Sequence, residues 1–431
     1  MTRVCPECFD DKGLKRRLVE IRPKYPNEKC DFHPRLKGIP IEPVAGIVDV
    51  VFRNNYGLGR YHNMLDDFTG ESLEETLYGL TGADDENVIR ALIDALIDGD
   101  TSWWPDGDDA FYKEDASYER SDRAFHSHDF MWAEFRRSIV HDQRFFNDAA
   151  KLLLSEIFDG IHRQRDTGKH YPVILIEPNS SEARLLRARI AEDSAVREEV
   201  AADPSRQMGP PPTRKRRPGR MNPSGICAFY AGYDLATCIA ELRPRVGSVV
   251  ASAEFEIIRP IVAFNTTRFA QEPKEPNLFA KDHIKRMAQW RFMQTFMHEI
   301  AQPISPDDEH LDYVPTQAVA EYLLRHHKFH LNGEERRIEA IIYRSAQHPA
   351  GKNIVILGDA CTVEANQTKS NSMPSGFGDA FDTLLSESTT WGSTPTAPRL
   401  RLVPDSVKYH LIREAAFTPE PFHDYAGHDD I

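Results

Sequence analysis

The stretch from Gly219 to Pro244, GRMNPSGICAFYAGYDLATCIAELRP, decides the reading of this chain. Arg220 is followed by Asn222, Pro223 and Gly225, a loop composition that presents a guanidinium beside backbone free to approach a ligand closely. The run Cys227 to Ala231, with Tyr230 at its end, reads as a strand, and Asp234 to Leu242 as a helix carrying Glu241 near its close. Taken singly, these residues have plainer readings: a surface ion pair, a strand aromatic and a solvated carboxylate.

On either side of this stretch the texture differs. Downstream lie short β-type runs at Val249 to Ile258, Ile261 to Asn265, Glu339 to Tyr343 and Asn353 to Leu357. Three helical runs interrupt them: one over Lys281 to Gln302 with Trp290, Met293, Met297 and Ile300 as a core stripe, one following Pro315, and one near Phe377 to Leu385. Upstream, Asp203 to Gly219 combines a proline run with Arg214, Lys215, Arg216 and Arg217 and reads as an extended loop or linker with a basic tip. From about 45 to 175 the spacing is helical. Val88, Ile89, Leu92, Ile93, Leu96 and Ile97 form one stripe behind Asp84 and Asp85 as caps, and Phe145 to Ile161 carries another. The fold class expected is α+β: a mostly helical N-terminal half, then a mixed domain.

With 431 residues, 40% hydrophobic and 28% charged, the chain has ordinary globular composition and length for two or three domains. We place them at 1–42, 43–178 and 179–431. No stretch of about 18 uncharged apolar residues exists and the start MTRVCPECFDDKG lacks an apolar core, so a cytoplasmic protein with no membrane partner is expected. A formal net charge of -14 disfavours wholesale coating of a phosphate backbone. The acidic stretch from Asn63 to Asp115 reads as a solvated face.

Three of six cysteines crowd the first 30 residues. Cys5 and Cys8, and then Cys30 and His33, each have two residues between them, so each pair can chelate one ion from a tight turn. Four nitrogen and sulfur donors make the closed tetrahedral shell of a structural Zn²⁺ site. Cys227, Cys238 and Cys361 read as core thiols, and His126, His128, His162 and His170 lack the spacing of a second site.

The motifs around Arg220 resemble those of the RES domain family, named for its Arg, Glu and Ser. The resemblance runs through Gly219 to Gly225, then Phe229, Tyr230 and Ala231, then Ala240 and Glu241. It continues in Tyr313 to Gln317 and in Ile341 to Ser345, with Arg184 to Ile190 as a first strand offering Arg187 or Arg189. It covers roughly 180 to 415. Met221 departs from the aromatic found after the arginine in many members. The resemblance implies an ADP-ribosyltransferase-like fold, NAD⁺ as substrate, Glu241, Arg220 and Ser345 as signature catalytic residues, and a protein antitoxin as partner.

The chemistry makes sense of those residues. Nicotinamide leaves NAD⁺ as a neutral group, so no general acid is needed, and the transition state resembles an oxocarbenium ion. One carboxylate, Glu241, can stabilise that charge and hold ribose hydroxyls. Arg220 and Arg187 would hold the pyrophosphate. Tyr230 would stack on nicotinamide or orient the ribose, and Ser345 would bond the ribose or the amide.

In the helical half, Arg136 and His141 are five apart, an arrangement that resembles the Arg-x-x-x-x-His motif of HEPN domains, some of which cleave RNA. The N-terminal half also resembles the HEPN-like extension found before some RES domains. The resemblance leaves open a ribonuclease using Arg136 and His141 with the RES half as a nucleotide sensor, and RNA as a partner only if that motif is active; a structural or dimerising helix is the other reading. A third function class is a non-enzymatic adaptor recruiting a partner through the knuckles and the acidic face.

Overall fold

The computed structural model describes residues 2–62, 67–83, 85–100, 110–121, 123–302, 309–364 and 397–414. The expected cap at Asp84 and the helix near Phe377 to Leu385 lie outside the described residues. The chain divides into two compact units assembled from interleaved segments: residues 1–134, 164–170 and 271–295 in one, and 135–163, 171–270 and 296–431 in the other. These are not the three contiguous blocks expected, because residues 271–295 return to pack with the first unit.

The first unit is built on helices α1 (Lys12–Ile21), α2 (Ile41–Asn55), α3 (Leu73–Thr81) and α4 (Glu86–Gly99). Their starts are set by polar caps: the Asp11 carboxylate accepts from Gly13 N and Leu14 N, Ser72 and Glu75 form a reciprocal capping box, and Asp85 accepts from Asn87 N. The stripe Val88, Ile89, Leu92 and Leu96 is buried, in agreement with its spacing. The first 40 residues do not stand apart. Val4, Cys5, Cys8, Phe9, Leu14, Leu18 and Ile39 are buried in the same core as Phe52, Leu77 and Leu92. The apolar face of α1 is short, which is why it escaped a search for sustained periodicity. Phe279 joins this core from the returning segment, where His283 Nε2 also meets Asn55 Oδ1 at 2.9 Å.

The second unit holds a nine-stranded sheet among the described residues. Its strands are β1 (Val173–Ile176), β2 (Arg184–Ile190), β3 (Ala228–Gly232), β4 (Val249–Ile257), β5 (Ile261–Asn265), β6 (Ala340–Arg344), β7 (Lys352–Leu357), β8 (Leu400–Leu402) and β9 (Lys408–Leu411). The order is β8-β4-β2-β3-β7-β6-β5-β1, with β9 also pairing β4. Every pairing is antiparallel except β5 with β6. Alternation sets the faces: Ala251, Ala253, Phe255 and Ile257 of β4 share one buried layer with Phe229, Ile261 and Ile342. All of β5 is buried, and Phe264 points instead into an aromatic layer with Phe158, itself beside Phe296, Tyr322 and His327. Each such ring buried from water contributes about 2 kcal/mol before entropy is counted.

The remaining helices are α5 (Ser127–Arg137), α6 (Asp148–Phe158), α7 (Ser194–Ala202), α8 (Pro204–Met208), α9 (Leu235–Leu242), α10 (His283–Ala301) and α11 (Glu309–Arg325). Three of them correct the sequence reading. Pro315 sits inside α11 and does not begin it, so the helix leaves the Leu311 carbonyl without its usual donor. Phe145 and Phe146 precede α6 and are 75% and 97% exposed. In the segment 203–219, α8 buries Ser205 and Met208 and so removes the linker reading, while the run after it is an irregular loop with Arg214, Lys215 and Arg217 exposed. In α10, Ala288, Trp290, Phe292, Met293, Phe296 and Ile300 are buried, which makes the long interval between Glu241 and Ser345 added core.

Candidate functional site: a metal cluster and a cationic cleft

Cys5, Cys8, Cys30 and His33 come together in the first unit, with all four ligand atoms within 4.8 Å of one another. Sγ of Cys5 lies 3.8 Å from that of Cys8 and 3.5 Å from Nδ1 of His33; Sγ of Cys8 lies 3.5 Å from that of Cys30 and 3.3 Å from Nδ1 of His33. A tetrahedron with Zn–S near 2.3 Å and Zn–N near 2.0 Å has edges of about 3.5 to 3.8 Å, so the donors fit zinc. Backbone N–H groups of Cys5 and His33 donate to the sulfurs of Cys8 and Cys30, at 3.4 and 3.3 Å. Burial pushes the Cys5 and Cys8 thiols up, as expected of sulfurs packed together without a central cation. A divalent ion reverses that preference and takes them as thiolates.

The second constellation lines a cleft of 570 Å³ in the sheet unit. Its loop, Gly219 to Gly225, is fixed by its own polar groups. The buried Asn222 side chain donates to the carbonyls of Arg217, Pro223 and Ile226 and accepts from the Tyr230 hydroxyl at 2.7 Å. That hydroxyl in turn accepts from Met221 N at 3.0 Å. A Cβ at Gly219 would come within 2.7 Å of the Tyr230 oxygen, so only glycine fits there. From α11, Thr316 Oγ1 donates to the Arg220 carbonyl at 2.6 Å, and Gln317 Nε2 to the Gly219 carbonyl at 2.8 Å. The Arg220 guanidinium donates to the Gln302 carbonyl at 2.8 Å and lies 5.3 Å from the centre of the Tyr313 ring. Arg187, on β2, donates to the Tyr230 carbonyl and sits over Phe229; desolvation pushes its pKa down to about 10, which leaves it charged at neutral pH.

Glu241 stands in the last turn of α9. The helix starts on Asp234, which accepts from Thr237 N and Thr237 Oγ1 at 2.8 and 2.6 Å, and stops where Arg243 turns left-handed at φ 46°. One carboxylate oxygen, Oε1, accepts two hydrogen bonds: from Ser345 Oγ at 2.6 Å and from Asn353 Nδ2 at 2.7 Å. Ser345 directly follows β6 and Asn353 is the second residue of the paired strand β7, so a single hairpin brings both donors to the end of α9. The Ser345 oxygen also accepts from Gln347 N and His348 N, at 3.2 and 3.0 Å. Its hydroxyl proton is therefore aimed at the carboxylate. Oε2 has no protein hydrogen bond among the described residues. The cleft walls nearby are aromatic, with Tyr230, Tyr313 and Tyr343; burial holds the Tyr230 and Tyr343 phenols far above their ordinary range, so both stay neutral.

Of the residues singled out in the sequence, Arg187, Arg220, Tyr230 and Glu241 line one cleft. Two differ from expectation in what they touch. Ser345 is buried and its hydroxyl bonds Glu241. Tyr230 commits its hydroxyl to the loop, leaving only its ring to the cleft. Arg189 turns away to Gln207. Asn353 escaped the sequence reading, where it served only to open an apolar run; a lone amide at a strand start next to a candidate hairpin is the signal that was there. Met221, the departure noted after Arg220, is buried. Arg136 lies in the last turn of α5 and pairs with Glu299 at 3.6 Å, while His141 is exposed in a π-helical turn, Ser138–Asp142. The π turn alters the five-residue register assumed for them.

Residues 184–374 match the family model of the RES domain. No curated protein and no solved structure matches the chain. The matched stretch starts with β2 and contains Arg187, Arg220, Tyr230, Glu241, Ser345 and Asn353, whereas the sheet extends beyond it at both ends through β1, β8 and β9. Among the described residues no helix is long and apolar enough to cross a membrane.

Proposed function

We propose that the sheet unit is an NAD⁺-degrading enzyme that cleaves the bond between nicotinamide and ribose. The observation that carries this reading is the seat of Glu241: a carboxylate with one oxygen held by Ser345 and Asn353 and the other without a protein donor, at the edge of a cleft lined by Arg187 and Arg220. A carboxylate in the last turn of a helix faces the negative end of the helix dipole, an unfavourable position by about 0.3 to 1 kcal/mol. Positive charge arriving beside it relieves that repulsion. Charge that develops on ribose C1 as nicotinamide departs is of that kind, so the stabilisation is larger in the transition state than in the bound substrate.

In this reading Arg220 and Arg187 hold the pyrophosphate, the Tyr230 and Tyr313 rings offer faces to nicotinamide, and Ser345 and Asn353 are positioning residues that act through Glu241. Water or phosphate takes the C1 position, which makes the enzyme a glycohydrolase or a phosphorylase. Unchecked loss of NAD⁺ is toxic, so the protein suits the toxin of a cytoplasmic toxin–antitoxin or defence pair held by a protein antitoxin. The Cys5, Cys8, Cys30 and His33 cluster serves as a structural zinc site, and the exposed Phe145, Phe146 and Leu152, on the 135–163 segment of the sheet unit, offer a surface for a second copy. The test is to mix protein with NAD⁺ and phosphate and identify the ribosyl product by mass. ADP-ribose or its 1-phosphate beside free nicotinamide is expected; intact NAD⁺ under all conditions contradicts the proposal.

A further inference from the structure

We infer that the cleft is built for a dinucleotide with a phosphate monoester on its adenosine ribose, and so prefers NADP⁺ to NAD⁺; this rests on the NAD⁺-cleaving reading above. The lining carries six cationic side chains, Arg187, Lys215, Arg216, Arg217, Arg220 and Arg243, against a single carboxylate, Glu241. A pyrophosphate carries two negative charges, which Arg187 and Arg220 match. The concentration of the others is notable in a chain whose net charge is -14.

Their local structure separates scaffold from ligand-facing charge. Arg216 is spent on the fold: Nε donates to the Pro211 carbonyl at 3.1 Å and NH1 to the Gly225 carbonyl at 3.4 Å, while its own carbonyl accepts from Gly225 N. Lys215 and Arg217 flank it. Their backbone is tied, Lys215 N to the Pro212 carbonyl and the Arg217 carbonyl to Asn222 Nδ2. Their charged ends make no hydrogen bond or ion pair among the described residues. Backbone held in place with unspent cations lining a cleft leaves only the two exposed side chains to be ordered by a bound phosphate. A ribose monophosphate adds close to two negative charges at neutral pH, the complement of this pair.

The test is calorimetric binding of NAD⁺, NADP⁺, AMP and 2′,5′-ADP. It uses Glu241→Gln protein, to prevent turnover, with and without Lys215→Ala and Arg217→Ala. Charge-assisted hydrogen bonds of this kind predict NADP⁺ and 2′,5′-ADP binding about tenfold or more tighter than their unphosphorylated partners, with the advantage shrinking as salt rises. The double substitution should remove that advantage and leave NAD⁺ affinity unchanged. Equal affinities, or a preference that survives the substitution, overturn the inference. If NAD⁺ binds and is cleaved by wild type without preference, only this inference falls; if no nucleotide binds, the NAD⁺-cleaving reading falls with it. Leaving Arg216 in place preserves the loop, and matched thermal melting checks that it has.

Discussion

The metal cluster and the cleft each gather a handful of polar side chains, but they are assembled in opposite ways. Cys5, Cys8, Cys30 and His33 come from two short turns, and their neighbours in sequence are their neighbours in space. Glu241, Ser345, Asn353 and Arg187 come from one helix and three strands spread over more than 160 residues, and only sheet register brings them together. In the proposed reading an ion holds the first arrangement. The second is held by the sheet and by hydrogen bonds that leave one carboxylate oxygen unspent. The difference separates a site that makes structure from a site that structure makes.

The largest expected effect tests the first half of that contrast. Chelation, or Cys8→Ser, should unfold the core around Val4, Phe9 and Leu14, because apparent zinc affinities of such sites amount to about 10 kcal/mol of folding free energy. Circular dichroism and bound-metal analysis read this directly. A melting curve unchanged by metal removal would show that the cluster is packed thiols and not a metal centre.

A smaller effect sharpens the comparison from the side of the sheet unit. Burial, and then the charge of His162, push the His327 pKa down to about 4 from 6.5. Because the folded value is depressed, its contribution is complete above pH 6.5 and is lost as pH falls towards 4, an expected loss of about 3 kcal/mol. His327→Phe should flatten the acid limb of the stability profile. An unchanged limb would place the acid sensitivity elsewhere.

The smallest effect concerns positioning. Ser345→Ala removes one of two donors to Glu241 and should lower kcat about ten- to a hundredfold, with KM for NAD⁺ nearly unchanged. A rise in KM at constant kcat would mean instead that Ser345 touches substrate.

These contrasts also explain what was legible in the sequence. The knuckle pairs could be read directly because spacing alone encodes a chelate. The strands over 249–257, 261–265 and 352–357 were readable from β-branched and apolar runs, and α9 from its Asp234 cap. Arg220 and Glu241 were readable as residues of one site, but the hydrogen bonds that Ser345 and Asn353 make to Glu241 were not. Asn353 was invisible as a functional group because its role depends on pairing with β6, a contact no local pattern records. The mixing of chain segments between the two units was hidden for a similar reason: the apolar stripe of α10 tells that it is buried, not against what. Of the loop-or-linker reading of 203–219 the loop is there, but α8 and the charge that Arg216 spends on backbone carbonyls tie it to the fold, and a proline and arginine run does not record that.

The most direct measurement is nicotinamide release from NAD⁺ by wild-type protein and by Glu241→Gln, at equal concentration and with matched melting temperatures. The account predicts release by wild type and a loss of at least about a thousandfold in the variant, the scale of removing a group that stabilises transition-state charge. Release by the variant at the wild-type rate would contradict it and move the chemistry away from Glu241.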